Sequence, residues 1–241
     1  MKTDAGVHGH HISQQFNAEL EEIKSSMLEM GGLVEKQITD AIAALINADS
    51  DLGHAVRAND DAVNAMEIAI DEACNRILAR RQPAASDLRL VLGIIKAVND
   101  LERIGDEAAK IARLAVELAD QGDSSKGYVE IRHIGERVRV MINMALDAFA
   151  RYDAEAAVAV AKEDVNVDLE YSTAMREMIT YMIEDPRSIS RAMNVIWALR
   201  SLERVGDHAK NIAEHAIYMV VGRDVRHAGL SGMEQQIKSK S

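Results

Sequence analysis

Four oxygen-bearing side chains near the carboxyl-terminal end of the chain recur at helical spacing: Glu203, Asp207, Asn211 and Glu214. On an α-helix they fall within about 80° of one another around the axis and cover about 16 Å of its length. Like charges at this spacing destabilise a helix. We therefore expect a divalent or iron-type cation (Mg, Ca, Mn, Fe or Zn), or a basic partner surface, to neutralise this stripe.

A related stripe occurs about one hundred residues earlier. Glu102 and Asp106 are again four residues apart, but Lys110 and Arg113 follow where the later stripe has an amide and a carboxylate. Because Asp106 and Lys110 have the spacing of an ordinary ion pair, we expect the earlier stripe to be partly neutralised from within. The later stripe is therefore the stronger candidate for a cation site.

Two further pairs of polar residues precede these stripes. Asp60 and Asn64 are four residues apart, as are Asp164 and Asp168. Neighbouring helices touch in a three-helix bundle, so each pair can face the stripe that follows it along the chain. Ligands from two helices would then converge on one cation or on a small cluster of cations.

The same carboxylates have a simpler interpretation. An acidic protein carries many carboxylates on its exposed helix faces, and Arg200 stands three residues before Glu203 as an ion-pair partner. A solvated charged face is therefore the alternative to a cation site. The recurrence of the pattern in two parts of the chain favours the functional interpretation.

That recurrence extends beyond the carboxylates. Residues 101–112 read Leu-Glu-Arg-Ile-Gly-Asp-Glu-Ala-Ala-Lys-Ile-Ala, and residues 202–213 read Leu-Glu-Arg-Val-Gly-Asp-His-Ala-Lys-Asn-Ile-Ala. The offset is 101 residues here and 104 residues further upstream, where Asp60 falls on Asp164. Duplication on this scale predicts two copies of one folding unit.

Each copy has the pattern of three long helices. In the first segment apolar residues recur at steps of three and four from Leu20 to Leu45, and the matching positions of the second copy are also apolar. Seven-residue apolar spacing in the later segments favours the shallow crossings of helical bundles. Gly105 and Gly206 lie on the apolar side of the third helices, where we expect ordinary packing contacts. The predicted fold is all-α, with two tandem, similar three-helix bundles of long antiparallel helices.

The predicted boundaries follow the breaks in this periodicity. We expect a flexible N-terminus at 1–12, a first three-helix bundle at 13–119, a polar linker at 120–128, a second bundle at 129–222 and a flexible C-terminal tail at 223–241.

Composition excludes several classes of protein. Hydrophobic residues make up 48% of the chain, which excludes global disorder, and with only 2 prolines and 3% aromatic residues an all-β fold is not expected. A net charge of -11 makes nucleic acid a poor partner. The single cysteine, Cys74, excludes an internal disulfide. Without a long apolar run or a leader pattern, we expect a cytoplasmic protein.

The duplicated Leu-Glu-Arg-[Ile/Val]-Gly-Asp-x-Ala segments on the third helix of each copy resemble the PhoU family of phosphate-signalling proteins. The resemblance covers nearly the whole chain, from about residue 11 to residue 229. It is specific, because two motif copies, their spacing and the total length all agree. Further similar stretches are residues 15–20, 80–83, 85–89 and 147–151.

This resemblance implies a fold and a function. PhoU proteins consist of two similar three-helix bundles and are usually dimeric and cytoplasmic, at times peripheral to the inner membrane through their partners. They are negative regulators of the phosphate-starvation (Pho) response and modulate phosphate uptake. The resemblance implies two partners, the ATPase subunit of the phosphate ABC transporter and the sensor histidine kinase of the phosphate two-component system. It also implies an adaptor and not an enzyme.

The family's Glu/Asp-x-x-x-Asp motifs bind metal in some members. On this chain the resemblance places them at Glu102 with Asp106 and at Glu203 with Asp207, facing Asp60 in the first copy and Asp164 with Asp168 in the second. This sequence departs from the pattern at three positions, Asn64, Lys110 and Arg113.

Two other classes of function remain open. A carboxylate-bridged metal oxidase or storage protein would need a paired Glu-x-x-His motif, whereas this chain has a lone one at Glu130 and His133. A generic helical scaffold would need no ligand at all.

Overall fold

The fold is built almost wholly from helices that follow the apolar periodicity of the sequence. A computed structural model describes residues 5–120, 128–226 and 228–239. A 3₁₀ turn, Pro186–Ser188, precedes the seventh helix. The helices are α1 (Ala5–Asn47), α2 (Ser50–Ala58), α3 (Asp60–Arg81), α4 (Ala85–Asp120), α5 (Tyr128–Arg151), α6 (Ala154–Glu184), α7 (Ile189–Val221) and α8 (Gly229–Lys238). No strand occurs within the described ranges, and the prediction of an all-α fold is confirmed.

The helices form two similar units packed side by side. In the first unit α1, the α2–α3 pair and α4 pack against one another, and in the second unit α5, α6 and α7 do so. The middle helices begin in the same way, because the side chains of Asp49 and Asp153 accept hydrogen bonds from the N–H groups of Leu52 and Ala156. The prediction of two tandem three-helix bundles is confirmed.

The middle helix of the first unit is broken, unlike its counterpart. A single residue separates the end of α2 at Ala58 from the start of α3 at Asp60, whereas α6 is uninterrupted. The break falls at Asn59, whose N–H is shared between the carbonyls of Ala55 and Val56 at 3.2 Å each. The repeat offset places Glu163 at the same position in α6. Asparagine has a lower helix propensity than glutamate, because its amide competes for backbone hydrogen bonds.

Helices extend into both terminal segments that the sequence predicts to be flexible. α1 begins at Ala5, and α8 lies in the C-terminal tail. Met233 of α8 is buried in the core, and Leu230 and Ile237 pack beside it. This apolar pattern belongs to a helix of 10 residues, which is too short for periodicity alone to identify. The predicted linker at 120–128 lies mostly outside the described residues.

The apolar stripe of α1 is buried over its whole length, as its spacing predicts. Each buried aliphatic side chain of this kind contributes about 1.5–3 kcal/mol to stability. The buried members are Leu20, Ile23, Met27, Met30, Val34, Ile38, Ala41 and Leu45. Cys74 of α3 is also fully buried, and burial raises the pKa of its thiol to about 12, which makes it a packing residue. In the described part of the chain, no helix has the length and apolar character needed to cross a membrane.

The two units meet along two helix pairs, α1 with α5 and α4 with α7. At the first pair, a Cβ built on Gly31 would lie 2.7 Å from Leu146 Cδ1, and one built on Gly135 would lie 2.8 Å from Ile42 Cδ1. The offset of 104 residues maps Gly31 onto Gly135 and Ile42 onto Leu146. Reciprocal contacts of this kind indicate an approximate two-fold axis between the units.

Buried charged groups join α4 to α7. Glu107 of α4 is 2% exposed and accepts contacts from Arg204 Nε at 3.1 Å and Lys110 Nζ at 3.0 Å. About two helical turns away, Asp100 of α4 is 8% exposed. Buried carboxylates require such partners, because an unpaired one pays its full desolvation cost.

Asp100 is the most heavily hydrogen-bonded side chain at this contact. Its Oδ1 lies 2.8 Å from His208 Nδ1 and accepts from Asn211 Nδ2 at 3.0 Å, while its Oδ2 lies 2.9 Å from His215 Nε2. Burial acts to raise the pKa of Asp100, but these hydrogen bonds together lower it to about 2. Its ionised form therefore stabilises the packing of the two units.

We expect Asp100→Asn to destabilise the protein by about 3 kcal/mol at neutral pH, because the amide cannot accept from all three partners. The lowered pKa of Asp100 means that its stabilisation is present above about pH 4 and is lost as the pH falls towards 2. Urea unfolding from pH 7 down to pH 3 should therefore show the difference between wild type and variant narrowing with acid. A difference that stays constant over this range would contradict the assignment.

Two glycines in helices meet their neighbours differently. α2 crosses α4 at Gly53, where a Cβ would lie 2.9 Å from Val116 Cγ2 and 3.0 Å from the backbone oxygen of Ala112. A backbone oxygen cannot rotate away, so a side chain here would force the helices apart. At Gly206 of α7 the nearest atom to a built Cβ is Val167 Cγ1 at 3.5 Å, which is an ordinary packing contact.

We expect Gly53→Ala to destabilise the protein by about 1–3 kcal/mol through this overlap. Gly206→Ala serves as the matched control, because it fits the available space and gains up to about 1 kcal/mol of helix propensity. Thermal unfolding of the two variants beside wild type tests both values. Equal destabilisation by the two substitutions would show that the close approach at Gly53 has no energetic effect.

Candidate functional site

The second unit brings four of the predicted carboxylates together between α6 and α7. We call Asp164, Asp168, Glu203 and Asp207 the second cluster. Asp164 and Asp168 belong to α6, and Glu203 and Asp207 belong to α7. Gly206 lies between the latter two, and a Cβ built on it would be 3.7 Å from Asp164 Oδ1. The middle helix therefore faces the stripe of the third helix.

The carboxylates of the second cluster are close enough to affect one another's ionisation. Burial and then Asp164 raise the pKa of Asp207, and burial and then Asp207 raise the pKa of Glu203. Asp168 also has a raised pKa, first through burial and then through Asp164. Mutual repulsion of this kind is what a bound cation or a basic partner would relieve.

The first unit holds an equivalent group between α3 and α4. We call Asp60, Asn64, Glu67, Glu102 and Asp106 the first cluster. Burial and then Asp106 raise the pKa values of both Asp60 and Glu102. Burial raises the pKa of Glu67, which Asp71 and Asp106 raise further. Glu67 is not among the site residues predicted from the sequence. It follows Asp60 by seven residues and Asn64 by three on α3, and this helical spacing places all three on one face and could have identified it.

The two clusters share one backbone arrangement. A Cβ built on Gly105 would lie 3.7 Å from Asp60 Oδ1, the same distance that separates the Cβ position of Gly206 from Asp164 Oδ1. Duplication has therefore preserved the approach of the middle-helix aspartate to the third helix.

The other two residues of the later stripe, Asn211 and Glu214, lie towards α4 and are not part of the second cluster. Asn211 donates to Asp100 on α4, at the contact between the units. Glu214 is 5% exposed in a groove that Asp100, His215 and Arg226 also line. The four predicted residues cover an arc wide enough for α6 to contact one part of it and α4 the other. They therefore do not form one site.

Internal cations neutralise the clusters differently from the expectation. The predicted ion pair of Asp106 with Lys110 is wrong, because Lys110 Nζ contacts the buried Glu107 at 3.0 Å. Arg113 pairs with Glu117 on the outer face of α4. Glu107 is almost fully buried, so leaving it without a cation would cost more free energy than leaving the more exposed Asp106 without one. This difference explains why Lys110 contacts Glu107 instead of Asp106.

Arginines and one lysine do reach the clusters. In the first cluster Arg103 lies 3.4 Å from Glu102 and 3.5 Å from Asp106. In the second cluster Arg200 donates to Glu203 at 2.7 Å. Lys210 Nζ donates to Asp164 Oδ2 at 2.6 Å. Lys210 is not among the site residues predicted from the sequence. The repeat offset places Ala109 at the equivalent position in the first unit.

The donor atoms fit a cation that prefers oxygen, but their present arrangement does not enclose one. Glu102 Oε2 and Glu203 Oε2 are buried and make no hydrogen bond, although Arg103 Nε lies 3.4 Å from Glu102 Oε2. Among the residues whose side chains are described, no three His, Cys, Asp or Glu side chains converge in the manner of metal ligands. A bound ion would therefore require these side chains to rotate towards it.

Comparison with known proteins agrees with this architecture. The PhoU domain matches the chain twice, at residues 27–115 and 131–216. The phosphate-specific transport system accessory protein PhoU homolog of Pseudomonas aeruginosa is 64% identical over 230 residues, which is 95% of each chain. The phosphate-specific transport system accessory protein PhoU of Escherichia coli K12 is 47% identical, again over 95% of each chain.

Solved structures give the same answer. The crystal structure of PhoU from Pseudomonas aeruginosa matches with a TM-score of 0.84 at 64% identity, covering 86% of this chain and all of that one. The phosphate transport system regulatory protein PhoU from Streptococcus pneumoniae matches with a TM-score of 0.81 at 31% identity, covering 87% of this chain and 99% of that one. The fold and the paired acidic clusters define a tandem three-helix-bundle protein. The chain belongs to the PhoU family.

Proposed function

We propose that this protein is an accessory regulator of a phosphate transport system that represses the phosphate-starvation response when phosphate is ample. Identity of 64% to the Pseudomonas aeruginosa accessory protein, over 95% of both chains, supports the transport role most directly. We infer a non-enzymatic adaptor, cytoplasmic and dimeric, that connects the ATPase subunit of the phosphate ABC transporter with the sensor histidine kinase of the phosphate two-component system.

The surface of the second unit supports an adaptor role. Leu169 and Ile183 on α6 are 63% and 75% exposed, and Trp197 on α7 is 55% exposed. Large apolar side chains in solvent are typical of surfaces that bind other proteins, and tryptophan often anchors such contacts. Leu169 directly follows Asp168 of the second cluster on α6, whereas Ile183 lies about four helical turns further along the same helix.

The acidic clusters give the adaptor a surface that responds to cations. Six of their carboxyl groups have raised pKa values because burial and neighbouring carboxylates disfavour the charged form. A divalent cation at a cluster would reduce that repulsion and the net negative charge of the surface. Charge complementarity controls the encounter rate and specificity of protein association, so cation binding would change which partner surface fits.

The lone Glu-x-x-His motif lines a groove whose lining residues include no member of either cluster. Glu130 and His133 line a groove between α5 and α6 together with Glu170 and Glu177. A carboxylate-bridged oxidase places two such motifs on separate helices around one core site. The structure therefore favours the adaptor over an oxidase.

Deletion of the gene tests the regulatory role. In phosphate-replete medium the deletion strain should express alkaline phosphatase, whereas a strain with the wild-type gene restored should repress it. The physical reason is that a kinase without its adaptor is no longer held in its phosphatase-favouring state. If alkaline phosphatase stays repressed in the deletion strain, negative regulation is contradicted.

A pull-down with the cytoplasmic region of the kinase tests the clusters as a recognition surface. We expect the variant with Glu102, Asp106, Glu203 and Asp207 all changed to Ala to retain about 10-fold less kinase than wild type, because rim charges govern the encounter. Asp147→Ala combined with Glu155→Ala removes exposed carboxylates elsewhere on α5 and α6 and serves as the control. Equal retention of the four-site variant and the control would exclude the clusters from the kinase contact.

A further inference from the structure

The second acidic cluster contains a built-in cation that the first cluster lacks. Lys210 Nζ donates to Asp164 Oδ2 at 2.6 Å, and the Asp164 side chain is only 3% exposed. The offset of 101 residues maps Lys210 onto Ala109, and the offset of 104 residues maps Asp164 onto Asp60. The first cluster therefore has the aspartate of this pair without its ammonium group.

We propose that Lys210 is the resident cation of the second cluster, so that only the first cluster, with Ala109, takes a metal ion from solution. This inference rests on the proposed cation binding of the clusters. It reverses the expectation from the sequence that the later stripe is the better cation site.

Lys210 is surrounded by carboxylates on two helices. Asp164 faces it from α6, and Asp207 and Glu214 face it from α7. Glu214 is also buried. Burial raises the pKa of its carboxyl group, and Lys210 is the largest influence that lowers it. Burial acts to lower the pKa of Lys210, but Asp164, Glu214 and Asp207 together raise it. The ammonium group therefore stays charged at neutral pH.

A tethered ammonium group competes with a dissolved metal ion in two ways. The helix holds Lys210 at a high effective concentration beside Asp164, whereas a metal ion must be drawn from dilute solution. A divalent ion that displaced it would also remain close to a positive charge that cannot leave. Both effects weaken metal binding at the second cluster.

The first cluster lacks this compensation. Its four carboxylates face one guanidinium group, that of Arg103, at 3.4 and 3.5 Å. Lys110 and Arg113 are directed to other partners, as described above. The first cluster thus keeps a larger excess of negative charge than the second cluster, in which both Arg200 and Lys210 pair with carboxylates. This excess favours a metal ion.

Exchange of the two equivalent residues tests the proposal. Chelator-washed protein is titrated with Mn²⁺, and bound ions are counted by calorimetry and by the loss of the free Mn²⁺ signal in electron paramagnetic resonance. Wild type should bind Mn²⁺ at the first cluster, and Glu102→Ala with Asp106→Ala should abolish that binding. Ala109→Lys should weaken it by about 10-fold to 100-fold.

Removal of the lysine should have the opposite effect. Lys210→Met keeps most of the side-chain stem but removes the charge, and we expect it to add Mn²⁺ binding at the second cluster that Glu203→Ala with Asp207→Ala then abolishes. Without metal this variant should melt at a lower temperature than wild type, because Asp164 loses its partner, and Mn²⁺ should restore the melting temperature. If the variant does not fold, Lys210→Gln replaces it.

Two control variants change the same charges elsewhere. Thr180→Lys adds a lysine to the outer face of α6, and Lys36→Ala removes the exposed lysine that pairs with Asp40. Neither should change Mn²⁺ binding. Equal binding at both clusters in wild type, or no gain in Lys210→Met, would overturn the proposal. Absence of Mn²⁺ binding in every variant would overturn it together with the cation hypothesis, while the alkaline phosphatase assay would still decide the regulatory role.

Discussion

The packing of α4 against α7 determines how the rest of the molecule is arranged. These two helices carry the duplicated motif, and buried Glu107 and Asp100 on α4 are each compensated by groups on α7. A buried carboxylate tolerates few alternative partners, so it fixes the register of the two helices more strictly than apolar contacts do. Each third helix is then held with its remaining face towards its own middle helix, where the acidic clusters form.

Duplication explains both what the two units share and where they differ. In both units the middle helix approaches the third helix at the same distance. The Cβ position of Gly105 is as far from Asp60 as that of Gly206 is from Asp164. The side chains around this approach have diverged, and Lys210 is the change with the largest electrostatic effect. On our proposal, this difference in charge would allow the first unit to bind a cation while the charge of the second unit stays constant.

The fold was predictable because its signals are local. The periodicity of α1 and the repeat offset identify the helices, and they also predict that Asp60 and Asp164 face the third helices. The partners of long side chains were not predictable. Lys110 contacts Glu107 and not Asp106, because the register of α4 and α7 buries Glu107, and no local pattern contains that register. The separation of Asn211 from the second cluster has the same cause.

The two clusters lie in different units, so a cation bound at one cluster would change the charge of only one unit of the adaptor. The second cluster lies in the unit that also exposes Leu169, Ile183 and Trp197. Because Lys210 would keep metal ions from this cluster, the charge of this unit would stay the same when metal concentrations vary. On our proposal, variation in charge is confined to the first unit. A partner that contacts both units would then bind through a constant apolar surface and be modulated by a variable acidic one. This arrangement separates affinity from control, because apolar burial supplies most of the binding energy and charge complementarity governs encounter and specificity.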